Sequence, residues 1–275
     1  MDKNEPKQGK IAVVQPLRKK MEVFLDLSTD EKDAIASMTK LHFNCGRGDT
    51  IIGEGDPQKH IFVLQKGWTM VARTMTDGRR QVTRFAIPGD FLCFDAGIVK
   101  MSSKSVEALT DVSGFRLLFD DLMRVFSRQP RLSAAFSWCN AQDESILAER
   151  LTSVGRRSAY ERLAHLFIEL WRRLELVDLT ENDTFLLPVT RAQLADAVGL
   201  TTLHVYRTLR KLEQNQLIKL MPKGVRILDM DGLHQAALFE ETYLHYTELP
   251  KQTERLLARI STRRQTDGPV LTVQP

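Results

Sequence analysis

The chain is poor in cysteine. Among 275 residues only Cys45, Cys93 and Cys139 carry thiols, too far apart for a disulfide framework or a Cys-x-x-Cys metal knuckle. No run approaches the roughly 18 to 20 uninterrupted apolar residues that span a bilayer. Met1 to Lys10 is polar and charged, with no apolar stretch for a secretory signal. These absences point to a reducing, cytoplasmic setting without membrane contact. Gly-x-Ser-x-Gly, Walker, His-Glu-x-x-His and Gly-x-Gly-x-x-Gly motifs are missing too. The acid pairs Asp120-Asp121 and Glu240-Glu241 are adjacent, so on a helix their side chains diverge. The expectation is a protein that is not an enzyme and holds no cofactor. His42-x-x-Cys45 offers two metal ligands, which do not close a site, so no metal is expected either.

What is present is ordinary globular composition, 43% apolar and 27% charged, with length for two domains. The net charge of +4 is misleading. Residues 1–20 and 251–275 together carry +7, which leaves −3 on residues 21–250. A surplus confined to the ends says little about partners, so any nucleic-acid argument rests on local charge.

The texture changes along the chain. From Phe43 to Leu118, apolar runs such as Ile61–Leu64, Trp68–Thr74 and Gln81–Ile87 alternate with turn dipeptides, Asp77-Gly78 being the strongest hairpin signal. This reads as a small antiparallel barrel, sandwich or roll. From Asp120 the pattern turns helical, and Arg131 to Val154 contains no Gly or Pro. Leu132, Phe136, Cys139, Ile146, Leu147 and Leu151 recur there at three- and four-residue steps. Two readings compete: the stripe packs on the chain's own roll, or it pairs with a twin across a dimer axis, and Asp143 interrupts it either way. Gly155-Arg156-Arg157 reads as a hinge. Ser158-x-x-Glu161 is a capping box opening a helix to about Leu176, and residues 177–185 read as a polar loop.

Residues 190–212 are the most informative. Thr190-x-x-Gln193 caps a helix that ends at Gly199, and a second helix runs from Thr201 or Thr202 to Asn215, a helix-turn-helix arrangement. The face opposite its apolar stripe shows Thr201, Thr202, His204, Tyr206, Arg207, Arg210 and Lys211, with Arg191 on the first helix. Hydroxyls and cations suit phosphates, and Arg suits the O6 and N7 acceptors of guanine. Residues 201–219 hold four Lys/Arg against one Glu, so the local charge is right for double-stranded DNA. Two strands around Pro222-Lys223 then resemble a wing whose Lys223 tip meets the sugar-phosphate backbone. Beyond Gly232 a helix is expected, then a frayed end after Asp267-Gly-Pro269.

The order resembles the cyclic-AMP receptor protein and fumarate–nitrate regulator (CRP/FNR) superfamily of bacterial transcription factors. Gly48-Asp49, Gly53–Asp56, Ile61–Gly67, Asp77–Arg80 and Pro88–Phe91 carry the match in the roll. Thr190-Arg191, Leu194–Leu200 and Val205–Leu212 carry it in the DNA module. The resemblance implies an α+β fold: a cyclic-nucleotide-binding-type β-roll, a long dimerisation helix and a C-terminal winged helix-turn-helix. It implies a flexible tail over 1–21, a sensory roll over 22–130, a dimer helix over 131–155, a winged helix over 156–232 and a helical extension and tail over 233–275. It also implies a homodimer that binds DNA and meets RNA polymerase. Two departures matter. Ser102 stands where cyclic-AMP-binding members carry the phosphate-binding Arg, and Leu203 stands where the family reads bases with Glu. Cyclic AMP is therefore not expected as effector, none other is legible, and the family's usual half-site does not carry over.

Overall fold

A computed structural model describes residues 15–266. The flexible tail expected over 1–21 is corrected at its end. Helix α1 (Gln15–Glu22) buries Leu17, Lys20 and Met21, while residues 1–14 lie outside the described residues. Helix α2 (Thr29–Met38) opens with a capping box between Ser28 and Glu31. Strands β1 (Leu41–Cys45), β2 (Thr50–Ile52), β3 (His60–Lys66), β4 (Thr69–Thr74), β5 (Arg80–Ala86), β6 (Phe91–Leu92), β7 (Ser105–Ala108) and β8 (Val112–Leu118) follow. They build two antiparallel sheets, ordered β1-β8-β3-β6 and β2-β7-β4-β5, which do not close into a barrel. Asp77-Gly78 makes the β4–β5 turn, with Gly78 at φ 84°. The sheets face one another across Phe43, Leu64, Val71, Leu92 and Val106.

Their outer faces are covered as well. Helices α3 (Phe119–Arg128) and α4 (Pro130–Arg156) join α1 and α2 over Ile61, Val63, Phe115 and Leu117. On the other sheet Trp68, Met70, Ala72, Val82 and Phe85 merge into the apolar core of the C-terminal half. Two-sided burial explains why Thr69 to Ala72 is buried throughout and reads without alternation.

The α4 stripe expected at a dimer seam needs correction. Leu132, Phe136, Cys139 and Ile146 are at most 1% exposed within the single chain. The first three pack on the roll and its helices. They are already covered, so they have no surface to offer a twin. Only Leu147 and Leu151 of that set stand exposed. Burial also pushes the Cys139 thiol up to about 12, leaving it an inert apolar filler.

Helix α5 (Ala159–Glu175) begins at the Ser158 capping box and is buried without a break from Leu163 to Trp171. A helix covered on every side is a core element. The loop expected over 177–185 is instead a strand pair, β9 (Thr180–Glu181) and β10 (Thr184–Leu186), turning through Asn182 and Asp183 at positive φ. Helices α6 (Arg191–Val198) and α7 (Thr202–Gln214) follow, then β11 (Ile218–Met221) and β12 (Gly224–Ile227). One sheet, ordered β11-β12-β10-β9, unites the four short strands. Helix α8 (Met230–Ala237) starts ahead of Gly232, and a 3-10 turn (Glu241–Leu244) and α9 (Lys251–Thr266) complete the described chain. The frayed end expected after Asp267 lies outside the described residues.

A buried ionic cluster joins these parts. Asp90, in the Pro88-Gly89-Asp90 turn, accepts from Lys20 Nζ at 2.7 Å, from Arg173 Nη2 at 2.6 Å and from the Ile87 amide. Arg173 continues to Glu169 at 3.1 Å and to the Phe85 carbonyl, and Glu169 receives Arg150 Nη2 on both oxygens. Arg84 pairs with Asp143 and donates to the Phe91 carbonyl. Burial alone would push the Asp90 carboxyl up, but Lys20 and Arg173 hold it well below the usual carboxylate range. Asp90→Ala would leave Lys20 without its near carboxylate and Arg173 with Glu169 alone. Removing one member of a buried pair costs about 3–5 kcal/mol, so urea unfolding should show a loss of that order. A loss below ~1 kcal/mol would mean that the cluster does not hold the fold together.

Candidate nucleic-acid interface

The helix-turn-helix forms from local chemistry. Thr190 Oγ1 accepts from the Gln193 amide at 3.2 Å, and Thr190 N donates to Gln193 Oε1 at 2.8 Å. Two otherwise free donors at the start of α6 are thereby satisfied. Gly199 closes α6 in the left-handed region, φ 66° and ψ 41°, where a side chain would be strained. Arg162 of α5 donates to the Val198 carbonyl at 2.9 Å and so covers the C-terminal end of α6. Thr201 then caps α7 by accepting from the His204 amide at 3.2 Å.

Helix α7 buries Val205, Thr208, Leu209 and Leu212. Thr201, Thr202, His204, Tyr206, Arg207, Arg210 and Lys211 are all exposed, as is Arg191 at the start of α6. Their cations fall into two groups. Arg191 lies over the Tyr206 ring at 5.0 Å, Lys211 over the Tyr160 ring at 5.1 Å, and Arg210 reaches Glu213 at 3.3 Å. Arg207 has no ion-pair partner among the described residues. Lys223 is exposed in the β11–β12 turn, and Lys219 and Arg226 face each other on the paired strands. The turn is braced from behind, because Leu187 N donates to the Lys223 carbonyl at 3.0 Å.

Sequence reasoning missed Tyr160. It stands in the first turn of α5, takes Lys211 against its ring and accepts from Asn215 Nδ2 at 2.7 Å through its hydroxyl. It also missed the hairpin contact. Arg80 Nε bonds Asp196 Oδ2 at 3.0 Å, and Gln81 Nε2 donates to the Ala197 carbonyl at 3.3 Å, so the β4–β5 hairpin docks on α6. Arg79-Arg80 after the Asp-Gly turn was the available signal, but its partner is over a hundred residues away.

A second concavity, about 470 Å³, lies between the roll and α4. Phe91, Cys93, Phe94, Ile146 and Leu147 give it apolar walls, while Arg73, Arg84, Lys104, Asp95, Asp143 and Glu144 supply mixed charge. Ser102 is 3% exposed and turned to the backbone, its hydroxyl donating to the Lys104 carbonyl at 2.6 Å. Arg84 is already neutralised by Asp143. Arg73, the other guanidinium in the lining, reaches Glu54 at 3.2 Å. Among the described residues no three His, Cys, Asp or Glu side chains group to hold a metal ion. No described helix is long and apolar enough to cross a membrane.

A capped two-helix reader with a braced wing, docked on a double-sheeted roll, is the architecture of a DNA-binding transcription regulator. Residues 161–236 match the Crp-like helix-turn-helix domain and residues 43–129 the cyclic nucleotide-binding domain. The transcriptional activatory protein AadR of Rhodopseudomonas palustris is 33% identical over 193 residues, 68% of this chain and 77% of that protein. The nitrogen fixation regulation protein FixK of Bradyrhizobium diazoefficiens is 31% identical over 191 residues, covering 69% and 78%. The structure of FixK2 from Bradyrhizobium japonicum shares the fold, with a TM-score of 0.64 at 23% identity over 71% of this chain and 96% of that one. The chain belongs to the CRP/FNR family of transcription regulators.

Proposed function

We propose that this regulator binds a near-palindromic operator as a homodimer, in the cytoplasm, and meets RNA polymerase at the promoters it occupies. The observation that carries the reading is the uncovered face of α7, on which Arg207, with no ion-pair partner among the described residues, stands between cations already held in place. In this reading Thr201, Thr202, His204, Tyr206, Arg207, Arg210 and Lys211 enter the major groove. Arg191 and Lys223 meet phosphates. Selection of random duplexes by the purified protein should return a two-fold consensus. Retention of DNA without any consensus would instead mark the roll as the working part and the DNA affinity as incidental.

Arg207 and Lys223 separate reading from anchoring. A guanine contact is worth about 1–3 kcal/mol of discrimination, so Arg207→Ala should collapse the preference for the selected site over scrambled DNA. Phosphate contacts are ionic and indifferent to sequence. Lys223→Ala should weaken both duplexes about equally and lower the salt slope by about one. The reverse pattern would remove α7 as the reading element.

The dimer seam is assigned to the remaining exposed stripe of α4. Ala141, Leu147, Ala148 and Leu151 stand at coiled-coil spacing on one uncovered face, Leu151 being 74% exposed. Leu151→Asp should yield folded monomers in sedimentation with weakened operator binding. An unchanged dimer would move the seam elsewhere.

Cyclic AMP is not the effector in this reading, because Ser102 and the Arg84–Asp143 pair leave its phosphate unmatched. Saturating cyclic AMP should therefore shift neither melting temperature nor DNA affinity. A robust thermal shift would overturn that assignment.

A further inference from the structure

Both family matches end by residue 236, yet the chain continues in ordered structure to Thr266. The path of this extension is specific. It leaves α8 through Leu238, in the left-handed region at φ 49°, and lays Phe239 against His165 at 4.9 Å. Tyr243 stacks on the same imidazole at 5.6 Å and 23°. Glu241 reaches Arg172 at 3.4 Å. These contacts all fall on α5, the central helix of the DNA module.

The chain then reverses at His245, φ 52°, and changes partner. Gln142 Nε2 of α4 donates to the Leu244 carbonyl at 2.6 Å, and Trp138 Nε1 donates to the His245 carbonyl at 3.1 Å. Ser145 Oγ lies 2.8 Å from His245 Nε2. Further on, Leu249 N donates to the Phe24 carbonyl at 2.7 Å, and the Leu249 side chain is buried in the apolar cluster of the roll-side helices. Glu254 holds Arg131 at 2.7 Å, and Arg131 also grips Glu31 of α2. One segment thus bonds to the DNA module at one end and to the roll-side helices at the other.

We propose that residues 239–257 are an intramolecular strap that fixes the orientation of the DNA module on the roll and so presets DNA affinity. Two observations favour a strap of this kind over a passive tail. Gln142 is 1% exposed, and the one bond of its side chain recorded among the described residues goes to the strap; a buried amide needs such a partner. The strap runs close enough to the ionic cluster for Tyr243 to interact electrostatically with Glu169 and Arg150, and Tyr246 with Arg173 and Asp90. The α7 face stays exposed with the strap closed. Closure therefore aligns the reader and does not mask it.

When only a fraction of molecules holds the competent orientation, apparent affinity falls by that fraction. The test compares the full chain with a variant ending at Phe239, and with a full-length Gln142→Ala/Ser145→Ala variant that loosens the strap without deleting it. The affinity readout rests on the proposed DNA-binding function; amide hydrogen exchange of residues 159–175 does not. Both variants should retain a cooperative melt, exchange faster over residues 159–175, and bind the selected duplex more weakly, about tenfold for the truncation and about threefold for the double variant. If no form binds duplex DNA, the proposed function fails while exchange still tests the strap. Unchanged exchange in the double variant, or tighter DNA binding by either variant, overturns the strap as a clamp.

Discussion

The carboxylate of Asp90 is the point on which the assembly depends. It is 2% exposed, and taking it out of water would cost more than any single neutral hydrogen bond returns. The cost is met because Lys20 arrives from α1 and Arg173 from α5, each within 2.7 Å, while the amide of Ile87 fixes the carboxylate from its own turn. Such clusters contribute little net stability compared with an apolar filling of the same volume. What they impose is alignment, since the geometry closes only when the N-terminal helix, the roll and the DNA module take one mutual arrangement. Arg173 extends that demand through Glu169 to Arg150 of α4.

Partners distant in the chain account for what the sequence did not disclose. Residues 15–21 read as part of a charged tail, since nothing near Lys20 in the sequence marks it for burial. Its partner sits seventy residues away. Residues 177–185 read as a polar loop because β9 and β10 present Thr180, Glu181, Asn182, Asp183 and Thr184, with no apolar alternation to betray them. They become strands because β12 already offers an open edge. Pattern rules follow a segment's own burial, and these segments are shaped by the hydrogen bonds of a neighbour.

Helix α4 shows a different failure. A three- and four-residue periodicity identifies an apolar face but not what covers it. The richer stripe, from Leu132 to Ile146, belongs to the chain's own core. The face left over, with Ala141, Leu147, Ala148 and Leu151, is weaker in apolar content; Leu147 and Leu151 read as part of the richer stripe, and Ala141 and Ala148 are not read at all. A long helix packed on a roll and exposed on its far side carries two overlapping patterns, and the stronger one marks the interior. Local chemistry fared better. The capping boxes at Ser158 and Thr190, the Gly199 terminus, the Asp77-Gly78 hairpin and the exposed row on α7 all depend on residues within four positions of one another, and all are where the sequence puts them.

The division between near and distant determinants bears on how the interface works. Which residues face outward on α7 is fixed by short-range rules, so it survives any movement of the module. Where that face points depends on contacts distant in the chain, among them Arg173 on Asp90, Arg80 on Asp196 and the strap over residues 239–257. Within the face, the Tyr206 and Tyr160 rings hold Arg191 and Lys211, so in the proposed reading these cations have less rotamer freedom to lose on meeting DNA. Arg207 has no such partner among the described residues, and in the proposed reading it is the side chain that meets a base edge. In that reading, cations held on rings and one without such a partner suit the two tasks of holding a backbone of fixed geometry and discriminating among bases that differ by a single donor or acceptor.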